Sequence, residues 1–109
     1  DVTVCLGYGG VGNPYLSGIQ PPTLPTVTAD RELILVGTLP QAVDVVLPSK
    51  AVSRMHAQIE KREGECYLTD LNSRNGTFVN EQPLVGEEER RLCDGDRVRF
   101  ADLTYQYCK

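Results

Sequence analysis

Two short polar segments, residues 49–56 and 70–77, contain side chains that could hold an anion. They contain three cations, Lys50, Arg54 and Arg74, on a chain that is acidic overall. They also contain hydroxyl and amide groups, at Ser53, Ser73, Asn75 and Thr77. Arginine or lysine combined with hydroxyl and amide donors is the chemistry that binds a phosphate dianion. The two segments therefore predict a site for a phosphate-bearing ligand.

The polar segments lie between short runs that are typical of β-strands. These runs are residues 33–36, 43–47, 56–61, 66–71, 77–79, 97–100 and 103–108. No long stretch has the 3.6-residue apolar period of a helix. The best helix candidate, residues 87–91, is short and has no apolar stripe, and we expect a solvated loop there. Strand runs at intervals of about ten residues predict an all-β sandwich or barrel, and loops between rigid strands commonly hold binding groups.

Length and charge exclude several classes of protein. A chain of 109 residues is long enough for one domain. Eleven Lys and Arg against fifteen Asp and Glu give a net charge of −4, whereas proteins that bind nucleic-acid phosphates are normally basic. No run approaches the roughly 20 apolar residues of a membrane span. We therefore expect neither a nucleic acid nor a membrane as partner.

The first 30 residues differ in composition from the rest. We expect residues 1–30 to form a Gly/Pro-rich arm with a possible first strand, and residues 31–109 to form the sandwich. Residues 7–12 match the dinucleotide-binding pattern G-x-G-x-x-G, which requires a strand before it and a helix after it. Pro14 could begin a helix, but Gly18 and the prolines after it leave no room for one. We expect no nucleotide and no other cofactor.

The cysteine pattern does not predict a metal site. Cys5, Cys66, Cys93 and Cys108 form no C-x-x-C pair, and the chain has a single histidine. An even number of cysteines in a short chain allows two disulfides, but Cys66 and Cys108 lie in apolar runs, where a free thiol packs as a small hydrophobic group. We favour reduced cysteines in an intracellular protein, and the sequence does not distinguish nucleus, cytoplasm and plastid.

Four motifs resemble those of forkhead-associated (FHA) domains. Residues 52–57, V-S-R-M-H-A, resemble the signature V-S-x-x-H-A, and residues 70–80 resemble D-L-x-S-x-N-G-T-x-V-N. Residues 92–100 are similar to L-x-D-G-D-x-I-x-F, and residues 44–48 to D-I-V-L-P. The motifs have the family's order and spacing within residues 33–108. The resemblance implies an eleven-stranded β-sandwich whose loops at one end bind a phosphothreonine peptide, a ligand class that this family reads with arginine clusters.

The resemblance also assigns roles to residues of the two segments. It implies that Ser53 and Arg54 contact the phosphate, that Asn75 holds the peptide main chain, and that Arg74 reaches the phosphate or an acidic side chain. Lys50 adds positive charge beside them. Structural support of these loops is expected from Gly37, His56, Gly76 and Thr77.

The sequence departs from the family at one position. FHA domains usually have an arginine directly after the glycine corresponding to Gly37, and here that residue is Thr38. A hydrogen bond to a charged group contributes about 1.5–3 kcal/mol. Replacing a two-pronged arginine by a hydroxyl is therefore expected to weaken phosphopeptide binding by roughly ten- to a thousandfold. Thr38 is itself a candidate ligand. Three outcomes stay open: weak phosphothreonine recognition, binding of an unphosphorylated partner by the same loops, and an assembly role with a silent pocket.

A catalytic function is not expected. Ser53 precedes His56 by three residues, and in a strand such residues point to opposite faces, which is poor geometry for a nucleophile and its base. We expect a non-catalytic interaction module that binds a partner protein, phosphorylated or unmodified. We expect it to be a monomeric domain within a larger chain, and such a chain could also contain a catalytic domain.

Overall fold

The computed structural model describes residues 12–109, and these residues form eleven β-strands and no helix. The strands are β1 (Tyr15–Gln20), β2 (Val27–Thr28), β3 (Leu33–Gly37), β4 (Val45–Val46), β5 (Ala57–Arg62), β6 (Glu65–Asp70), β7 (Thr77–Val79), β8 (Gln82–Pro83), β9 (Glu89–Arg91), β10 (Arg97–Phe100) and β11 (Leu103–Cys108). The expected all-β fold of about eleven strands is confirmed.

The strands form two sheets that pack as a sandwich. One sheet has the order β2-β1-β11-β10-β7-β8, and the other has the order β4-β3-β5-β6-β9. Every pairing is antiparallel except that of β3 with β4, which is parallel. Alternate side chains of each sheet point inward, and Val36, Ala57 and Leu68 of one sheet and Val98 and Tyr105 of the other are fully buried. These inner faces form one hydrophobic core.

The six-stranded sheet includes residues that we assigned to the N-terminal arm. The possible first strand of that arm is β1, which pairs with β11 from Tyr15↔Cys108 to Gln20↔Thr104. The Tyr105 hydroxyl donates a hydrogen bond of 2.8 Å to the Pro25 carbonyl and so fastens this segment to the core. Most of the 7–12 glycine pattern lies outside the described residues.

The short edge strands β8 and β9 carry no apolar pattern, and β9 lies in a segment that we expected to be a loop. Residues 87–91, where we expected a solvated loop, contain β9, which pairs with β6 through Tyr67↔Arg91, Leu68↔Arg90 and Thr69↔Glu89. Charged side chains suit a sheet edge because they discourage pairing with another chain. The loop prediction was therefore wrong for residues 89–91, because backbone pairing with β6, not local side-chain pattern, decides their conformation.

The cysteines are not all reduced. Cys66 and Cys93 have free thiols, Cys108 is disulfide-bonded, and Cys5 lies outside the described residues. Our preference for fully reduced cysteines is therefore wrong for Cys108, since an apolar strand position buries a disulfide as readily as a thiol. None of the residues 12–109 belongs to a helix long and apolar enough to cross a bilayer.

Candidate functional site

The two polar segments lie side by side in the loops that connect β4 to β5 and β6 to β7. The backbone N–H of Arg74 donates to the Ser53 Oγ at 2.9 Å. In the same way, the Asn75 side-chain Nδ2 donates to the carbonyl oxygen of Ala51 at 2.8 Å. These bonds connect residues more than twenty positions apart, and they hold the two loops together at one end of the sandwich.

The buried imidazole of His56 forms a hydrogen bond with each of the two loops. Its Nδ1 accepts a hydrogen bond from the Ser53 backbone N–H at 3.0 Å, and its Nε2 lies 2.8 Å from the Gly76 carbonyl oxygen. Because a carbonyl can only accept, the ring is neutral with its proton on Nε2. The ring also packs edge-on against Phe100, with 5.9 Å between centroids. Burial lowers the pKa of His56 from its ordinary value, which keeps this neutral form in place.

Asp70 organises the second loop by accepting three hydrogen bonds. Its Oδ1 accepts from the Ser73 hydroxyl at 2.5 Å and from the Thr77 hydroxyl at 2.6 Å, and its Oδ2 accepts from the Ser73 backbone N–H at 3.0 Å. Burial raises the pKa of Asp70, but these hydrogen bonds together outweigh it and the net shift is downward. The carboxylate therefore stays ionised and fixes the loop. Sequence reasoning gave Asp70 no role, although an Asp three residues before a Ser is a recognisable turn signal.

Gly37 and Thr38 bring the end of β3 against the first loop. A Cβ atom on Gly37 would lie 2.1 Å from the Arg54 carbonyl oxygen, so only glycine fits there. The Thr38 backbone N–H donates to the carbonyl oxygens of Ser53 and Arg54, each at 3.1 Å. This close approach puts the Thr38 side chain directly beside the residues that we expect to contact the ligand.

A groove of about 640 Å³ opens where these segments meet. Its lining residues are Thr38, Leu47, Pro48, Ser49, Lys50, Val52, Ser53, Arg54 and Arg74. Five of the six residues that we predicted to bind the ligand therefore lie around one cavity. The sixth, Asn75, does not line it, because its amide is used to bridge to Ala51. The sequence gave no signal for Ser49, whose hydroxyl donates to Asp102 at 2.7 Å and so fastens the first loop to the β10–β11 turn.

Among residues 12–109, the three groove cations have no acidic partner. Within residues 12–109, six other Lys and Arg side chains pair with carboxylates, namely Arg31, Arg62, Arg90, Arg91, Arg99 and Lys109. Lys50, Arg54 and Arg74 form no such pair with any residue in that range, although all three are exposed. Five Lys and Arg side chains thus lack an ion pair with the described residues, and three of them lie at the groove, the other two being Lys61 and Arg97.

Gly76 and Thr77 hold the second loop against the six-stranded sheet, at the turn between β10 and β11. Gly76 has a φ of 91°, and a Cβ there would lie 2.9 Å from the Phe78 ring. Its carbonyl oxygen also accepts from the Ala101 backbone N–H at 3.0 Å. The Thr77 side chain is completely buried and donates to Asp70. These contacts continue from the loop into the β10–β11 turn.

Comparison with known proteins identifies the family. The sequence model of the FHA domain matches residues 34–101, which is more than half of the chain. The chain belongs to the FHA domain family. The match contains β3 to β10 and therefore both loops of the groove.

The curated relatives come from bacteria and plants, and two of the bacterial ones are named as an inhibitor and a regulator. This FHA chain is 41% identical over 76 residues to the oxoglutarate dehydrogenase inhibitor of Corynebacterium efficiens, covering 70% of this chain and 46% of that protein. It is 38% identical over 57 residues to the glycogen accumulation regulator GarA of Mycolicibacterium smegmatis, covering 52% of this chain and 34% of that protein. The chain spans less than half the length of these relatives.

Solved FHA domains share the fold. One that was analysed for phosphothreonine-dependent interactions superposes with a TM-score of 0.78 at 29% identity, covering 89% of this chain and 96% of that one. The FhaA FHA domain, in complex with the intracellular domain of Rv3910, gives 0.75 at 30% identity, covering 86% and 98%. EmbR of Mycobacterium tuberculosis, in complex with a low-affinity phosphopeptide, gives 0.77 at 28% identity, covering 88% and 24%.

The arrangement of Ser53 and His56 differs from our premise of a continuous strand. Strand β5 begins only at Ala57, so residues 53–56 form a turn. Within the turn, His56 Nδ1 bonds to the Ser53 backbone N–H and not to its hydroxyl. The imidazole therefore holds the loop and does not accept a proton from the Ser53 hydroxyl.

Proposed function

We propose that this FHA domain binds a phosphothreonine-containing peptide of a partner protein in the groove and does no chemistry on it. The observation that carries the proposal is the presence around Ser53 of three cations that have no ionic partner within residues 12–109, on a chain of net charge −4. A phosphate dianion offers several acceptor oxygens, and charge-assisted hydrogen bonds to them are about twice as strong as neutral ones. Some of the relatives are named as inhibitors or regulators, and those names agree with a binding role.

Five of the residues that we predicted to bind the ligand have separate parts in this proposal. Since the Ser53 Oγ already accepts the Arg74 N–H, its hydroxyl proton is directed to a phosphate oxygen. The guanidinium groups of Arg54 and Arg74 and the ammonium group of Lys50 neutralise the dianion. Asn75 acts through the bridge to Ala51 and keeps the two loops in register, and its carbonyl oxygen and second N–H can meet the peptide main chain.

We expect the interaction to be weak. Thr38 occupies the position of the usual arginine, and its hydroxyl replaces a charged two-pronged donor. At about 1.5–3 kcal/mol for each charged hydrogen bond, the loss of this two-pronged donor costs roughly ten- to a thousandfold in affinity. Because the groove cations are exposed to solvent, salt screens much of their contribution. Binding is therefore expected to weaken further as ionic strength rises.

Calorimetric titration with a phosphothreonine peptide library and the matched unmodified peptides tests the proposal. We expect the phosphorylated set alone to bind, and Ser53→Ala and Arg54→Ala each to weaken it about tenfold or more. Arg97→Ala is the matched control, since Arg97 is also exposed and lacks an ionic partner among the described residues but lies at the far end of β10. Equal binding of both peptide sets contradicts the phosphate claim.

A second function, phosphorylation-independent binding or assembly, is favoured by Thr38 alone. In that case the same loops, or another face of the sandwich, contact an unmodified partner, and Ser53→Ala and Arg54→Ala leave partner binding unchanged. The same titrations therefore separate the two functions. In both, residues 31–109 with β1 and β2 act as a monomeric module within a larger protein.

A further inference from the structure

The groove loop contains the single Asn-Gly pair of this sequence, Asn75–Gly76. Asn-Gly is the dipeptide most prone to deamidation, because glycine has no side chain to block attack of its amide nitrogen on the asparagine side chain. In that reaction the Gly76 nitrogen loses its proton to water and bonds to the Asn75 Cγ, and Nδ2 leaves as ammonia. Water then opens the succinimide ring to aspartate or isoaspartate.

The geometry of the loop does not allow another residue in place of Gly76. Gly76 has a φ of 91°, in the region that favours glycine, and a Cβ would lie 2.9 Å from the Phe78 ring. Asn75 in turn supplies the donor that bridges the two loops. Both members of the pair are therefore required by the geometry of the groove.

Both reacting groups are held by hydrogen bonds in the native loop. The Gly76 N–H, which must lose its proton, donates to the Ser73 Oγ at 2.9 Å. The Asn75 Nδ2, which must leave, donates to the Ala51 carbonyl oxygen at 2.8 Å. Since Ser73 is itself fixed by Asp70, the nucleophile and the leaving group are separately anchored to different parts of the site.

We propose that Asn75–Gly76 is a latent deamidation site that the Ser73 and Ala51 hydrogen bonds restrain, and whose conversion separates the two groove loops. An aspartate at position 75 places a carboxylate oxygen against the Ala51 carbonyl oxygen. Both atoms are acceptors, so the hydrogen bond that the Asn75 amide donated is lost and the two oxygens repel each other. The aspartate also adds a negative charge beside Arg74. Backbone lengthening by isoaspartate displaces Gly76, whose carbonyl accepts the His56 bond.

The rate of deamidation tests the restraint. The folded domain and a synthetic peptide of residues 70–80 are incubated at mildly alkaline pH, and Asp and isoAsp at position 75 are measured by peptide mass spectrometry and isoaspartate-specific labelling. Because the hydrogen bonds to Ser73 and Ala51 must open before Gly76 can attack, we expect the domain to react at least about tenfold more slowly than the peptide. A domain that reacts as fast as the peptide overturns the proposal.

Ser73→Ala removes the bond to the nucleophile together with the bond from the Ser73 hydroxyl to Asp70. This variant removes the acceptor of the Gly76 N–H, and we expect deamidation of the folded variant to be about fivefold faster than that of the wild type. Ser17→Ala, a half-buried serine of β1, is the control and leaves the rate unchanged. Far-ultraviolet circular dichroism confirms that each variant is folded at the incubation temperature. An unchanged rate in a folded Ser73→Ala domain contradicts the assigned role of Ser73.

Asn75→Asp reproduces the aspartate product of deamidation and so tests directly whether this product separates the two groove loops. We expect the amide shifts of Val52 and Ser53 to move in nitrogen-15 spectra of the ligand-free domain, and phosphopeptide affinity to fall about fivefold or more. Asn75→Ala separates loss of the bridge from the added charge. The affinity arm rests on the proposed function, whereas the rates and shifts do not. Failure of the wild type to bind phosphopeptide refutes the function alone, and unmoved shifts in Asn75→Asp refute the loop separation.

Discussion

Replacing Thr38 by arginine is the perturbation that most directly probes the geometry of the groove. The Thr38 backbone is fixed by two hydrogen bonds from its N–H, to the carbonyl oxygens of Ser53 and Arg54. Its side chain is half-buried and lines the groove. The side chain makes no hydrogen bond with the described residues, so the substitution breaks no side-chain hydrogen bond among them. An arginine side chain leaving this fixed point begins beside Ser53.

The expected gain follows from one restored charged contact. A hydrogen bond to a charged group contributes about 1.5–3 kcal/mol, which corresponds to about ten- to a hundredfold in affinity. The new cation also repels Lys50, Arg54 and Arg74 in the free protein. All three are exposed, where a pair of charges is worth less than about 1 kcal/mol. The net expectation is a gain of at least tenfold, which is about 1.4 kcal/mol.

Fluorescence anisotropy with a labelled phosphothreonine peptide, at two salt concentrations, measures the gain. Gln82→Arg is the control, because it adds the same charge at an exposed position of β8, opposite Val79 and away from the groove. We expect Thr38→Arg to bind at least about tenfold more tightly than wild type and Gln82→Arg to bind as the wild type does. No gain, or an equal gain in the control, would show that the groove does not hold phosphate beside position 38.

Three further predictions concern the supports of the groove. Because burial lowers the folded pKa of His56 below its ordinary 6.5, its stabilising contribution is complete above that pH and is lost as the pH falls below it. Chemical denaturation should therefore give a smaller free energy of unfolding just below pH 6.5 than at neutral pH, and His56→Gln should reduce this part of the dependence while keeping the fall at lower pH that comes from carboxylates such as Asp70. Asp70→Ala leaves three donors without an acceptor, and we expect a loss of about 2–3 kcal/mol in the same assay. Gly37→Ala forces a Cβ against the Arg54 carbonyl, and thermal unfolding should show destabilisation of about 1–3 kcal/mol, with wild-type stability contradicting the observed close approach.

The strands that sequence predicts well are those whose side chains face the core. Strand β10 alternates Val98 and Phe100, which are buried, with more exposed arginines, and this period identifies it without other information. Strand β8 consists of Gln82–Pro83 and β9 of Glu89–Arg91. Neither buries a hydrophobic side chain, so their conformation depends on pairing with β7 and β6, which a local pattern does not contain.

The composition of the groove was easier to predict than its internal bonding. The motifs indicated that Ser53 and Arg74 belong to one site, because both lie in polar segments between strands. The bond from the Arg74 N–H to the Ser53 Oγ and the bridge from Asn75 to Ala51 depend on the relative placement of two loops. That placement results from packing of the sheets around His56 and Phe100, which spacing along the chain does not specify.

Nuclear magnetic resonance titration with a phosphothreonine peptide tests the central claim most directly. If the three groove cations around Ser53 form the binding site, the largest amide shifts will fall on Thr38, Lys50, Ser53, Arg54 and Arg74, and the unmodified peptide will cause none of them. Shifts confined to the outer faces of the two sheets, or identical shifts with both peptides, would contradict recognition of phosphate by this groove.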